Sequence, residues 1–196
     1  MDILWSNEYV TRRDALTRSA RESRVRAVEG AARAAVLTDR RFAPAHVRSS
    51  AARFFREVQA AWTDVDRTRL ARLVVPELLE QWEVLFADYR EKGWTNIVAV
   101  HEVDIEYVGL RNGGASGPDR VVVRMSAHTD DYVLDASGAV IPHNGNPSRE
   151  AWLREYWTLA PEEDGWRLIS IEQDEEGEHN LADPLVPLPP APSTGP

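Results

Sequence analysis

The sequence predicts an α+β domain, helices first and then a run of antiparallel strands. Three observations carry this. Apolar residues recur at helical spacing from Val47 to Tyr89, the pattern switches to strict alternation after Asn96, and clusters of Gly, Pro and Asp punctuate the alternating segments. Helices followed by consecutive strands place the helices on one face of an antiparallel sheet.

Residues 7–37 are rich in Ala and Arg and read as a helix with a thin apolar stripe of Val25, Val28, Ala32, Ala35 and Val36, interrupted at Gly30. A helix with so little apolar surface is not stable alone. It is expected to dock on the body of the domain, on a second copy or on a membrane surface. Pro44 opens a stronger helix, since proline suits a first turn where its missing N–H has no partner. Val47, Ala51, Phe54, Phe55, Val58, Ala61 and Trp62 form one apolar face of it. Residues 64–75 predict a turn and a short helix with Leu70, Leu73 and Val74 inward. Pro76 opens the next helix, with Leu78, Leu79, Trp82, Leu85, Phe86 and Tyr89 on one face and Gly93 as its terminator.

Asn96–Leu110 reads as a long strand, because Val103, Ile105 and Tyr107 alternate with Asp104 and Glu106. Gly113, Gly114, Gly117 and Pro118 mark a connection. Val121–Leu134 is a second strand, and Ala139–Ile141 is expected to fold back after a turn at Asp135–Gly138. Two more strands, Ala151–Leu159 and Trp166–Glu172, flank the turn Glu162–Gly165.

The chain of 196 residues is long enough for one domain with appendages, and an apolar fraction of 43 % supplies a core. The predicted division is a basic helical extension over 1–43, the folded domain over 44–173, and an acidic, then proline-rich tail over 174–196. That tail cannot form a packed core, although Leu181, Leu185, Val186 and Leu188 suit its first half to lie against the domain. The net charge of −9 is uneven: residues 1–60 hold twelve Arg and seven Asp or Glu, and the remainder holds eleven Lys or Arg and twenty-five Asp or Glu. The acidic body disfavours nucleic acid as a partner. The chain has no Cys, which excludes thiolate chemistry, disulfides and iron–sulfur clusters. No apolar run approaches the roughly 20 residues that span a bilayer, and Glu8, Arg12, Arg13 and Asp14 do not fit a signal peptide. The expected location is therefore cytoplasmic, peripheral on the inner membrane or anchored to it through a segment outside this sequence.

Several motifs in order carry a resemblance. They are Phe55-x-x-x-Gln59-x-x-Trp62, Asp66-x-x-x-Leu70, Val74-x-Pro76-Glu77-Leu78, Gly93-x-x-Asn96-x-Val98 and Asp131-Tyr132-x-x-Asp135. Glu155-Tyr156-Trp157-Thr158 and Trp166-Arg167-Leu168-x-x-Ile171-Glu172-Gln173 follow them. Together they resemble the C-terminal domain of the mitochondrial inner-membrane translocase subunit 44 and its bacterial relatives. The resemblance implies the nuclear-transport-factor-2-like fold, a cone-shaped, strongly bent antiparallel sheet with helices packed in its concave face around a pocket. It also implies a role in holding other molecules at membranes rather than catalysis. The long coiled half through which the mitochondrial protein engages its chaperone and channel has no counterpart here, so those partners are not carried over.

Trp62, Trp82, Tyr89, Trp94, His101, Tyr107, Tyr156 and Trp157 are the pocket candidates, with core packing as the competing role of these aromatics. His101 alternates with Val103 and Ile105, which predicts an inward ring. Glu155 shares the phase of Leu153, Trp157 and Leu159, which predicts a buried carboxylate. His101 and Glu155, with Tyr107, are the pieces a proton-transfer site would use, and a structural role competes for each. His128-Thr129-Asp130-Asp131 matches no established metal spacing and reads as a solvated strand end. Arg12, Arg13, Arg18, Arg21, Arg24, Arg26 and Arg33 could face anionic lipid or an acidic partner. No dinucleotide loop, phosphate loop, zinc-protease motif or nucleophile elbow is present. No cofactor or metal is expected.

The leading expectation is a non-enzymatic, membrane-proximal protein- or lipid-binding adaptor with an apolar ligand or partner side chain in the cone. The alternatives are a small-molecule-binding pocket protein or cofactor-free isomerase or dehydratase of the same superfamily, and a structural homodimerisation module.

Overall fold

The computed structural model describes residues 7–112, 117–141 and 149–173, and within the first helix describes side chains from residue 18 onward. Among the described residues four α-helices precede the sheet: α1 (Asn7–Ala35), α2 (Pro44–Thr63), α3 (Arg67–Leu73) and α4 (Pro76–Lys92), with a 3-10 turn at Arg40–Phe42. Five strands follow: β1 (Thr95–Arg111), β2 (Arg120–Leu134), β3 (Val140–Ile141), β4 (Glu150–Glu162) and β5 (Gly165–Gln173). They form an open antiparallel sheet in the order β1-β2-β4-β5, with β3 beside the end of β2. The architecture is α+β with helices packed against the sheet, as the change of periodicity predicts.

Local chemistry explains the helix boundaries. α2 and α4 both begin at proline. The Asp66 carboxylate accepts a hydrogen bond from the Arg69 amide at 2.9 Å and caps α3. Gly93 ends α4 in the left-handed region at φ 66°, and the Trp94 amide then donates to Tyr89 O at 2.8 Å. This reversal starts β1 directly beneath the helix. Asp135 closes the β2–β3 hairpin by accepting from the Ser137 and Ala139 amides and the Ser137 hydroxyl. Those bonds hold its carboxyl below the usual range.

Strand alternation divides the sheet into two faces. The helix-covered face presents Ile105, Tyr107, Val121, Val123, Met125, Ala127, Trp157, Leu159 and Leu168, all buried against Val47, Ala51, Phe54, Phe55 and Val58 of α2. Trp157 receives Phe54 and Phe55 edge-on, at ring-centroid separations of 6.3 and 5.2 Å. Buried Ser50 locks helix to sheet: its hydroxyl donates to His46 O at 2.6 Å and accepts from Trp166 Nε1 at 2.8 Å. A shift of register occurs in β1 between Tyr107 and Gly109. Val108 is fully buried there with Val122 and Tyr156, against Val25 of α1.

The two sheet edges are handled differently. On β1, the Val98 amide donates to Thr63 Oγ1 at 2.9 Å and the Val108 carbonyl accepts from Arg24 Nε at 2.6 Å. These side-chain bonds occupy backbone groups that would otherwise template another strand. On β5, the Val75 amide donates to Leu168 O at 3.0 Å, so the α3–α4 junction ties down that edge. Of the apolar stripe of α1, Val28, Ala32 and Ala35 are buried in the main core and Val25 packs against the outer-face cluster. The first helix therefore docks on the body of its own domain. The expected packing of Leu181, Leu185, Val186 and Leu188 lies outside the described residues.

Candidate functional site: an aromatic-walled cavity under the helices

The strands are longer than the helices that cover them. Where β1 begins, β2 ends and β4 begins, the helix-covered face opens into a cavity of about 470 Å³. Its helical wall is Val58, Gln59 and Trp62 of α2 with Trp82 and Tyr89 of α4. Its sheet wall includes Asn96, Val98, Thr129, Asp131, Leu153, Glu155, Trp157 and Ile171. Each position follows from phase: Ala127 opposes Leu153 and Met125 opposes Glu155, so Leu153, Glu155 and Trp157 share the core face.

Polar groups in this wall are positioned by one another. Trp62 Nε1 donates to Asn96 Oδ1 at 2.6 Å, and Asn96 Nδ2 donates to Asp131 Oδ1 at 3.0 Å and to Tyr132 O at 3.2 Å. Trp62 also stands edge-on to Trp82 at 4.9 Å and tilted against Phe86 at 4.7 Å. Glu155 is 8 % exposed and accepts from Trp157 Nε1 at 2.8 Å. That bond orients the indole while satisfying a buried carboxylate oxygen.

Of the eight aromatic and histidine candidates, Trp62, Trp82, Tyr89 and Trp157 meet in this cavity. Trp94 lines a smaller recess on the far side of Trp62 and Tyr89. Three others lie elsewhere. Tyr107 is fully buried in the core; its hydroxyl has no hydrogen-bond partner among the described residues, and burial pushes its phenol well above the usual range. Tyr156 lies on the outer face with Val108 and Val122.

His101 corrects the expected inward orientation. A register shift between Val100 and Glu102 breaks the alternation on which that orientation rests. The ring instead sits 5.2 Å from that of His128, with Nε2 3.2 Å from Asp130 Oδ1. His128 stacks on Trp152, which is 72 % exposed. Because His128 and Trp152 are register partners one residue out of phase with Ala127 and Leu153, this group occupies the outer face. His101 and Glu155 are therefore on opposite faces of the sheet, and the pair a proton-transfer site requires does not form. Among the described residues no group of three or more His, Asp or Glu is arranged to hold a metal.

The arginine set divides as well. Arg21 Nε donates to Glu106 Oε2 at 3.2 Å, and Arg124 Nη1 donates to the same oxygen at 3.1 Å. Arg24 is committed to the Val108 carbonyl, and its burial lowers its pKa, partly opposed by Tyr156. Arg21 and Arg24 thus serve the docking of α1, while Arg18, Arg26 and Arg33 are exposed. The side chains of Arg12 and Arg13 lie outside the described residues.

Gln59, Asn96, Thr129, Asp131, Leu153 and Ile171 escaped the sequence reading as wall residues. The available signal was the shared phase of Leu153, Glu155 and Trp157. Nothing local marks Asn96 or Gln59, whose places depend on where α2 crosses the sheet.

A family profile described as "Tim44-like domain" matches residues 28–173, which takes in the last two turns of α1 and the whole sheet. Among solved structures, the chain is similar to the intermembrane space region of the chloroplast protein ARC6. That likeness has 12 % identity and a TM-score of 0.45, and covers 62 % of this chain and 95 % of that one. No individually curated protein matches the sequence.

Proposed function

The chain belongs to the Tim44-like domain family, and from that premise we propose a non-enzymatic adaptor that works beside a membrane and grips an apolar chain or partner side chain in the cavity under α2 and α4. The family supports a membrane-associated role in protein interaction in general. The observation that supports the finer reading is the wall itself: Trp62, Trp82, Leu153, Trp157 and Ile171 flank a half-open space in which, among the described residues, Asp131, Glu150 and Glu155 are faced by no histidine. A volume of about 470 Å³ falls within the roughly 300–1,000 Å³ of ligand sites. An alkyl chain entering it would gain about 0.8 kcal/mol per buried CH₂, with Gln59, Thr129 and Asp131 available to orient a polar end.

No helix among the described residues is long and apolar enough to cross a membrane. Attachment through exposed Arg18, Arg26 and Arg33 would contribute about 1 kcal/mol per residue near an anionic surface and would weaken with salt. The test has two arms. The protein is floated with phosphatidylcholine vesicles, with and without phosphatidylglycerol, at low and high salt. Separately, dodecylphosphocholine is titrated below its micellar concentration while indole fluorescence is followed. The expected result is salt-sensitive flotation with the anionic vesicles and quenching that Leu153→Trp abolishes by filling the cavity. Absence of both responses overturns the proposal.

A further inference from the structure

A second recess, which shares Trp62, Tyr89 and Asn96 with the cavity, lies between the C-terminal ends of α2 and α4 and the start of β1. It has a volume of about 260 Å³ and is built from Trp62, Phe86, Tyr89 and Trp94, with Val65, Arg67 and Arg90 at its rim. Trp94 is folded back onto Tyr89 by the left-handed Gly93, with ring centroids 6.1 Å apart. Phe86 and Trp62 form the opposite wall at 4.7 Å.

The surrounding charges are nearly all neutralised. Arg67 Nε is shared between both Glu83 carboxylate oxygens at 2.7 and 2.8 Å, and Lys92 Nζ meets Asp88 at 2.7 Å over the Trp94 ring. Asp131 is held by Asn96. Arg90 is the exception, for it forms no ion pair among the described residues. Val65 supplies an independent observation. It is a β-branched residue at φ 50° and is 40 % exposed on the rim. A β-branched side chain in the left-handed region is a strained outlier, and such strain concentrates at binding sites.

We propose that this recess binds one aromatic or branched apolar group bearing a carboxylate. The ring would enter between Trp94 and Phe86 while the carboxylate pairs with Arg90. The small volume restricts the occupant to a single side chain or a one-ring acid. A planar guanidinium beside aromatic faces suits a carboxylate on an apolar body. Two sources present that chemistry: a free small acid and the C-terminal residue of a polypeptide.

The test is a titration of the full chain, read from the indole N–H resonances of Trp62 and Trp94. The probes are N-acetylphenylalanine, its amide, and a pentapeptide ending in phenylalanine with a free or amidated terminus. The expected result is that the acids shift Trp62 and Trp94 and bind roughly tenfold more tightly than the amides, with Arg90→Gln erasing the difference. A peptide preference assigns the site to a polypeptide terminus, and equal affinities assign it to a small acid. The proposal is overturned if no probe shifts these resonances, if acid and amide bind equally, or if Arg90→Gln leaves the preference intact. Trp94 lines only the recess, and Trp82 and Trp157 only the larger cavity, so these three indoles rather than the shared Trp62 tell the two sites apart and either can fail without the other.

Discussion

The two ends of the same strands have opposite fates. At one end, Ile105–Leu110, Val121–Ala127 and Trp157–Leu159 are almost wholly buried, one face beneath α2 and the other against α1. At the other, Thr95–Val100, Asp130–Val133 and Ala151–Leu153 are more exposed around the cavity, where only the last turn of α2 and one face of α4 stand over them. The strand chemistry shifts along this length, with Asn96, Thr129 and Asp131 at the open end where the closed end has Val121, Val123 and Met125, and the helix cover thins with it. Where the helices stand off the sheet, a mixed apolar and polar surface is left unfilled between them, and the candidate site is that space.

The sharpest break in this comparison is a paired truncation. Trp157→Ala removes a fully buried indole contacting Phe54 and Phe55 and is expected to cost about 3–5 kcal/mol in urea unfolding. Leu153→Ala at the open end enlarges an existing space and is expected to cost about 1–2 kcal/mol. Equal losses would show that the two ends are packed alike. A smaller effect tests how the open end is shaped. Gly93→Ala places a Cβ in the left-handed region, 3.4 Å from the Ala136 Cβ, and is expected to destabilise by about 1 kcal/mol while shifting the Trp94 resonances.

The smallest effect concerns the closed end. Tyr107→Phe deletes a buried hydroxyl with no partner and is expected to be neutral or to stabilise by up to about 1 kcal/mol at neutral pH. The same variant has a pH signature. The folded phenol titrates higher than the unfolded one, so its contribution is intact below about pH 10 and is lost as pH rises above that toward the folded value. Wild type should therefore lose stability above pH 10 more steeply than Tyr107→Phe. Parallel alkaline curves would mean that this hydroxyl is hydrated or paired in solution.

Most of the fold was legible because it rests on short-range chemistry. Pro44, Pro76 and Gly93 mark helix boundaries for reasons confined to a turn of backbone, and the alternation from Val121 to Met125 assigns a core face unaided. The site was legible only in part. Trp62, Trp82, Tyr89 and Trp157 declared themselves by size and phase, whereas His101 was placed on the wrong face. Its phase was counted across Val100–Glu102, where one extra residue reverses the alternation. Arg21 and Arg24 looked like free cations because their partners, Glu106 and the Val108 carbonyl, lie more than eighty residues away.

By itself, then, the sequence determined the element order, the α+β class and the apolar faces, all of which follow from periodicity and turn chemistry within a few residues. Only the tertiary structure decided which aromatics become wall rather than core, which arginines stay exposed, and that the two histidines meet on the outer face. Those outcomes depend on where α2 crosses the sheet and where β1 slips its register. These are long-range packing choices, and they leave no mark in the local pattern of residues.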